Sequence, residues 1–499
     1  MSLFKQKPAP ASDPHTLNLS EDQTPLPERH DLIYQTIVSS MTSDDMKAVY
    51  FEQEQMAYYY IETIIDLTRM HEEIVPRLPQ LAESSDRWKL LFGRGVVHDR
   101  VGDVLTDLVS GHIIISQSSL GGQVISIPLA KIEDRAVEQP TIEKVLMGSK
   151  ESYVENVDTN ISLLRRYVKD ANLTIKYFTV GERSKSKVAV LYLRDVVNPE
   201  WVEEIEANID KINISRVIGH KDLMELIIGR NQTVFPLYEM TEIPIRTSFF
   251  LNEGRIAILM DGSPFSAFLP TVGLNMIQGS EYLFQGSIIP IFVRFIRLVS
   301  TLLALYAPSL YVALVSVNSG IIPAQLGVTI ASDRAGIPYP VMVEALLLFL
   351  VLDIFLEATS FVPGVIGPAL NIVGSLIIGQ AAAQAHLVSQ MAIITTAVTA
   401  VGTFLAMFQL SYALRIWKYP LILGASLLGV YGIVCVSIVM TAHLAGLKSL
   451  GVPYLSPVAP QRTGDFASMF MQKDVSEQHR RLYFNETKDK VMQEGDPDE

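Results

Sequence analysis

The stretch from about residue 286 to 445 limits most strongly what this chain can fold into, because its long apolar segments carry few charges. The clearest runs are LVSTLLALYAPSLYVALVS (298–316), LVSQMAIITTAVTAVGTFLAMFQL (387–410) and LILGASLLGVYGIVCVSIVMTA (421–442). Each is long enough to cross a hydrocarbon core of roughly 30 Å as a helix. They lack the period-2 alternation of a transmembrane barrel strand, so helices are the expected way to satisfy backbone polar groups without water. Two further apolar segments, 341–362 and 364–383, are interrupted by polar residues.

Charge is distributed unevenly around this stretch. Residues 251–449 hold seven acidic and seven basic side chains, so the formal charge of −13 belongs entirely to the remainder. An acidic soluble part without a basic stripe argues against nucleic acid as a partner. Cys435, the single cysteine, lies inside the last apolar run and is expected to be a small core hydrophobe. Residues 1–30 show no apolar signal region, so the N-terminal part is expected to remain cytoplasmic.

In chain order, 1–30 reads as a disordered lead, too polar to offset the entropy of ordering. Residues 57–70 fit either a strand entering a helix or one helix. Segments 111–117 and 123–129 bracket glycines and predict a hairpin. A helix is expected within 154–166 after an Asp-Thr-Asn cluster, with strands at 173–180 and 187–194. Asn198 and Pro199 are suited to N-cap and first helical position, and Val202, Ile205, Ile209 and Ile212 form an apolar stripe behind them. The segment 253–276 reads as a strand, a turn at Asp261-Gly262, and a continuation at the membrane surface or beneath the helices. Phe250, Phe265 and Phe268 fit either interface anchors or core packing.

The expected fold is therefore multi-domain: a cytoplasmic α/β region of two small subdomains (31–139 and 140–250), followed by an all-α polytopic membrane domain. Residues 251–285 form the junction at the membrane surface, 286–450 hold four or five helices, and 451–499 form a polar tail. Arg294, Arg297, Arg415 and Lys418 are expected as boundary anchors on the cytoplasmic side. Five full crossings would leave the tail outside. Four crossings with one embedded segment return it inside, which is the expected form.

Polar residues within apolar helices are the functional candidates. Glu344, Asp353 and Glu357 interrupt 337–358, and an ionised carboxylate facing lipid is costly. Asp353 and Glu357 share a face, whereas Glu344 lies about half a turn away. Two readings stay open: a cation path lined by carboxylates, or headgroup-level and hydrogen-bonded structural groups. Asn371, Ser375, Gln380 and Gln384 could line an aqueous pathway or bond between helices. Gly374, Gly379, Gly429 and Gly432 supply small faces for close helix packing. No cofactor motif, metal-ligand spacing or hydrolytic constellation is evident, and an enzyme is not expected.

Several phrases carry a resemblance: VENVDTNISLLRR (154–166), GRIAILMDGSPFSAFLP (254–270), IPYP with Glu344 four residues later, IVGSLIIGQAAAQAHLVS (372–389) and GVYGI (429–433). Together they resemble the A-subunit family of GerA-type spore germination receptors of endospore-forming bacteria. The resemblance implies a two-part cytoplasmic region joined to a membrane domain that assembles as a homo-oligomeric channel, a pentamer, for monovalent cations. It implies a transporter-like B subunit and a lipoprotein C subunit as partners in the spore inner membrane, or a place in the machinery that amplifies germination. The helices bearing Glu344, Asp353, Glu357, Asn371 and Gln380 then become pore candidates. The chain departs from the family at TEIPI (241–245), in place of a TERPD-like phrase, and at LEAT (356–359), in place of REAG. Each departure loses an arginine that would pair with an acid, which bears on ion preference and gating and fits a specialised or accessory member. Secondary transport, for which no inverted repeat is found, and a non-conducting scaffold are the competing classes.

Overall fold

The structure is a computed structural model, and it describes residues 25–27, 30–51, 55–83, 88, 92–93, 95–120, 122–131, 140, 143, 149–229, 233–277, 288–360, 379–405, 408–461, 465, 481–482 and 485–491. Alternation of side chains builds the first sheet, formed by β1 (Met46–Phe51), β2 (Met56–Ile61), β3 (Val96–His98), β4 (His112–Gln117) and β5 (Val124–Pro128) in the order β1-β2-β4-β5-β3. On β2, Ala57, Tyr59 and Ile61 face one core while Met56 and Tyr58 face the other. Period 2 makes this division automatic. Helices α1 (His30–Ser40) and α2 (Val101–Val109) cover the first face, and helical turns between Leu67 and Glu83 cover the second. The 57–70 segment thus resolves as a strand that leads into helical turns, and the hairpin turns through Ser118–Leu120.

The second sheet runs β6 (Leu173–Val180), β7 (Ser186–Leu193), β9 (Ile256–Met260), β10 (Ser266–Leu269) and β8 (Glu239–Thr241) in that spatial order. Helices α3 (Val157–Tyr167) and α6 (Pro244–Asn252) pack on one face; α4 (Pro199–Asp210) and α5 (His220–Ile228) pack on the other. Asn198 caps α4 by accepting from the Glu200 amide, with Pro199 as the first helical residue. Asn156 caps α3 through the Thr159 amide, so the Asp-Thr-Asn cluster lies inside the first turn rather than before it. Helices and strands alternate as expected, yet the described strand pairs of both sheets are antiparallel.

Two placements differ from the sequence reading. Residues 256–269 do not lie apart as a membrane-surface junction; β9 and β10 complete the second sheet, and Phe250 and Phe268 stack edge to face at 4.9 Å in its core. Parts of the polar tail also fold back on this unit. Arg481 donates to the Asn252 carbonyl, Asn485 to that of Glu253, and the Lys488 amide to that of Val196. A short ribbon of β11 (Lys448–Ser449) and β12 (Val452–Pro453) precedes it.

The two sheet units meet at a buried ion pair. Arg165 of α3 donates to both Asp45 carboxylate oxygens, at 2.8 and 2.7 Å, and Ser43 and Thr63 donate to the same group. Burial alone would push the Asp45 carboxyl up, but the Arg165 charge and these donors hold it below the usual carboxylate range.

The helical part contains α7 (Ile288–Val312), α8 (Ala324–Arg334), α9 (Val341–Ser360), α10 (Gln390–Leu405), α11 (Phe408–Leu428) and α12 (Val430–Gly446). Among the described residues one helix is long and apolar enough to cross a membrane, Ile289–Val317, with a mean hydropathy of 1.9. The apolar run 421–442 is not a single crossing helix. It breaks at Gly429, whose φ of +65° a side chain would rarely adopt, and α11 and α12 fold against each other as a hairpin. A Cβ on Gly432 would overlap the Gly424 carbonyl oxygen, and one on Gly429 would overlap Asn318 Oδ1. Gly429 and Gly432 therefore serve packing within the chain rather than offering a free face. Gly432→Leu is expected to destabilise the protein by about 3 kcal/mol or more, because backbone rather than a flexible side chain must give way. Thermal unfolding in mild detergent checks this.

His220 supplies a pH-dependent prediction for the second unit. Its Nδ1 lies 2.8 Å from Ser263 Oγ and its Nε2 3.1 Å from the Ile258 carbonyl, and burial lowers its pKa from 6.5 to about 4. The unfolded chain binds this proton below about pH 6.5 while the folded chain does not until about pH 4. Its contribution to stability is therefore unaffected above pH 6.5, and falls by about 3 kcal/mol between 6.5 and 4. His220→Gln should flatten the pH dependence of thermal unfolding over that window relative to the unsubstituted chain.

Candidate functional site: charged clusters in the helical region

Helix α9 carries its three carboxylates in two groups, since nine residues separate Glu344 from Asp353 by about 13 Å along the axis and about half a turn. Glu344 is fully buried. It pairs with Arg334 at the end of α8, takes the Tyr311 hydroxyl at 3.4 Å, and accepts the Ser389 amide at 2.6 Å. Ser389 Oγ in turn accepts from the Ala392 amide at 3.2 Å, and Asp333 accepts from the Gln390 amide at 2.8 Å. Two carboxylates thus meet the unsatisfied amides at the start of α10, where the helix dipole favours negative charge.

Asp353 and Glu357 share a face toward α11, as their spacing of four requires. Lys418 Nζ lies 2.7 Å from Asp353 Oδ1, Tyr419 donates its hydroxyl to Oδ2 at 2.5 Å, and Arg415 Nε reaches Oδ1 at 3.3 Å. Arg415 also spans to Glu357 Oε2 at 3.4 Å and to the Asp353 carbonyl at 3.0 Å. The Lys418 side chain is 2% exposed and that of Asp353 14%, whereas Glu357 is 50% exposed. Two positive and two negative groups make the cluster formally neutral, with Glu357 its accessible member.

Arg415 and Lys418 correct the sequence reading. Rather than separating two apolar helices, both lie inside α11 and pair with Asp353 and Glu357 of α9. Their charges look like loop residues only while the opposing Asp353 is unknown. Arg415 also provides, from another helix, a cationic partner for Glu357, the acid of the LEAT phrase. Arg294 is buried and Arg297 donates to the Ile277 carbonyl at 3.1 Å, so both contact protein. Gln380 and Gln384 are exposed and Gly379 is in ordinary contact with Ile393. Asn371, Ser375 and Gly374 lie outside the described residues. Sequence reasoning missed Arg334, Tyr311, Ser389 and Tyr419. A basic residue beside IPYP was the available signal for Arg334; the others needed the packing. No group of three or more metal-ligating side chains gathers among the described residues.

The two carboxylates should respond differently to neutralisation. Asp353→Asn leaves Lys418 buried without its partner, at a cost of about 3–5 kcal/mol. Glu357→Gln, at a half-exposed pair, should cost about 0–1 kcal/mol. Thermal unfolding in detergent should rank them so, and Lys418→Met added to Asp353→Asn should recover part of the loss.

The model of the family described as Bacillus/Clostridium GerA spore germination protein matches residues 27–484. The chain is 32% identical over 391 residues to spore germination protein GerLA of Bacillus cereus, covering 78% of this chain and 79% of that protein. It is 30% identical over 433 residues to spore germination protein GerQA of Bacillus cereus, covering 86% and 87%. A solved structure, the N-terminal domain of the A subunit of the Bacillus megaterium spore germinant receptor GerK3, aligns over 50% of this chain and 97% of that one at 22% identity, with a TM-score of 0.37. Matched over most of its length, the chain belongs to the GerA family of spore germination proteins.

Proposed function

We propose that this chain is the A-type subunit of a spore germination receptor, or of a complex that amplifies germination, and that its helical region forms an oligomeric channel for monovalent cations. Membership of the GerA family supports the germination role. The observation that carries the channel reading is the half-exposed Glu357, the accessible carboxylate of the cluster it forms with Asp353, Lys418 and Arg415. An accessible carboxylate near a narrow path concentrates cations, and a low local dielectric strengthens the attraction.

Assembly of several copies, five by the family resemblance, is part of this reading. Exposed apolar side chains on α7 and α12, among them Phe292, Phe295, Tyr431 and Ile438, call for lipid or a neighbouring protein as cover. In this reading a transporter-like B subunit and a lipoprotein C subunit are the partners, in the spore inner membrane. The helical region crosses the membrane several times, with both soluble ends on one side. The contacts of Arg481, Asn485 and Lys488 with the second sheet unit support an even number of crossings.

A non-conducting scaffold is the second reading. It is favoured by the pairing of Glu344, Asp353 and Glu357 with basic side chains. Planar-bilayer recording on equal amounts of assembled protein separates the two. For the channel reading, Glu357→Gln should lower cation-over-anion selectivity by about threefold or more at low salt and less at high salt, where the carboxylate is screened. An unsubstituted protein that passes no current favours the scaffold.

A further inference from the structure

The segment between α5 and β8 connects the second sheet to the helix that carries Arg415 and Lys418. Phe235, 8% exposed, sits 6.2 Å from the Trp417 ring, 6.3 Å from His443 and 6.3 Å from Tyr454, centroid to centroid. Trp417 and His443 are themselves 6.2 Å apart. Thr233 ties the same segment down: its Oγ1 lies 3.0 Å from His443 Nε2 and accepts the Phe235 amide at 3.1 Å. Ser449 donates to the Leu237 carbonyl at 2.8 Å and accepts the Thr271 amide at 3.1 Å.

On its other side the segment runs directly into a rigid, charged piece of the second unit. Glu239 of β8 is fully buried and pairs with Arg246 and Arg255, and Met240 of the same strand donates its amide to Gln409 of α11 at 3.4 Å. Phe235 lies only four residues before Glu239, so the aromatic cluster sits close to the β8 edge. The aromatic cluster and the Met240–Gln409 hydrogen bond are thus contacts between this part of the second unit and α11.

Helix geometry defines what a displacement at these contacts would do. At 100° per residue, Arg415 and Lys418 lie about 60° apart on the face toward α9, while Trp417 projects roughly 130° away from that face. A side chain seized on one side of a stiff helix sets the rotation of the other side. With side-chain ends about 6 Å from the axis, a rotation of about 10° moves them by about 1 Å. That is enough to lengthen the 2.7 Å Lys418–Asp353 contact past hydrogen-bonding range.

We propose that Phe235 is a positioning residue: seated among Trp417, His443 and Tyr454, it sets the rotation of α11 and so couples the soluble unit to the ion pairs of Asp353 and Glu357. The coupling deepens the channel reading and rests on it only for its effect on conduction. The same packing would position the helix in a scaffold.

The test is amide hydrogen exchange on the full chain in lipid nanodiscs, read by mass spectrometry. Phe235→Ala should speed exchange in peptides covering 412–420 and 350–357 by about tenfold, while β7 and β9 keep their protection. Phe235→Leu, which retains most of the bulk, should remain within about threefold of the unsubstituted chain. Phe235→Val, which removes the ring but leaves a smaller void than alanine, should speed exchange in the same peptides and replaces the alanine variant if that does not fold. Ile209→Ala removes apolar volume from the same unit away from the cluster and should leave 412–420 unchanged. Unchanged 412–420 exchange in both Phe235→Ala and Phe235→Val, or an equal rise in Ile209→Ala, overturns the proposal. Bilayer conductance forms a separate arm. Unsubstituted protein that does not conduct removes the channel reading, and the exchange data still decide the coupling.

Discussion

Charge removed from water needs a partner, and much of this structure follows from where the partners come from. Asp45 and Arg165 are both almost fully buried and belong to different sheet units, so the pair sets how those units meet. Glu239, Arg246 and Arg255 repeat the arrangement within the second unit, with the Arg255 guanidinium also 4.4 Å from the Phe250 ring centroid. In the helical region Glu344 and Asp353 each draw a cation from a different helix. Such pairs add little net stability over apolar packing, but breaking one is costly. They act as constraints on register rather than as a source of cohesion.

That constraint divides α9 into two ends with different characters. Around Glu344 a cation, a tyrosine hydroxyl and the Ser389 amide at the entry to α10 close the carboxylate off from solvent. Around Asp353 the packing is partly open, with Phe349 one turn away beneath Lys418 and Glu357 reaching the surface. A single helix can therefore anchor the bundle at one end and present charge at the other. Which end meets solvent is decided by the packing around each carboxylate, not by residue type.

The cluster that presents charge also adjoins the cluster that meets the second sheet unit. Trp417 lies next in sequence to Lys418, and its ring packs on Phe235 from the segment entering β8. Stiff secondary structure makes such a junction consequential, because a helix held at one side chain transmits rotation to its neighbours. The C-terminal ribbon reinforces it through Tyr454, whose carbonyl accepts the Gly273 amide at 2.8 Å. The second sheet unit, the helices and the C-terminal ribbon thus converge on Phe235, Trp417, His443 and Tyr454.

Much of the local structure was legible in the amino-acid sequence because it depends on nearest neighbours. The β4–β5 hairpin, the Asn198-Pro199 helix start, the Val202–Ile205–Ile209 stripe and the apolar character of 286–445 all follow from spacing and propensity. The helical separation of Glu344 from Asp353 does too, whereas the mixed periodicity of 57–70 leaves β2 open between strand and helix. What sequence could not reveal was long-range pairing. Residues 256–269 read as a junction, yet strand partners at 173–193 and 239–241 draw them into a sheet. The run 421–442 read as one span, because hydropathy does not register that Gly429 turns left-handed and that Gly424 lets Gly432 approach its carbonyl. Arg415 and Lys418 read as boundary markers because a charge in an apolar run is costly only until its partner is found, and that partner, Asp353, lies more than sixty residues earlier, where only the tertiary fold brings the two together.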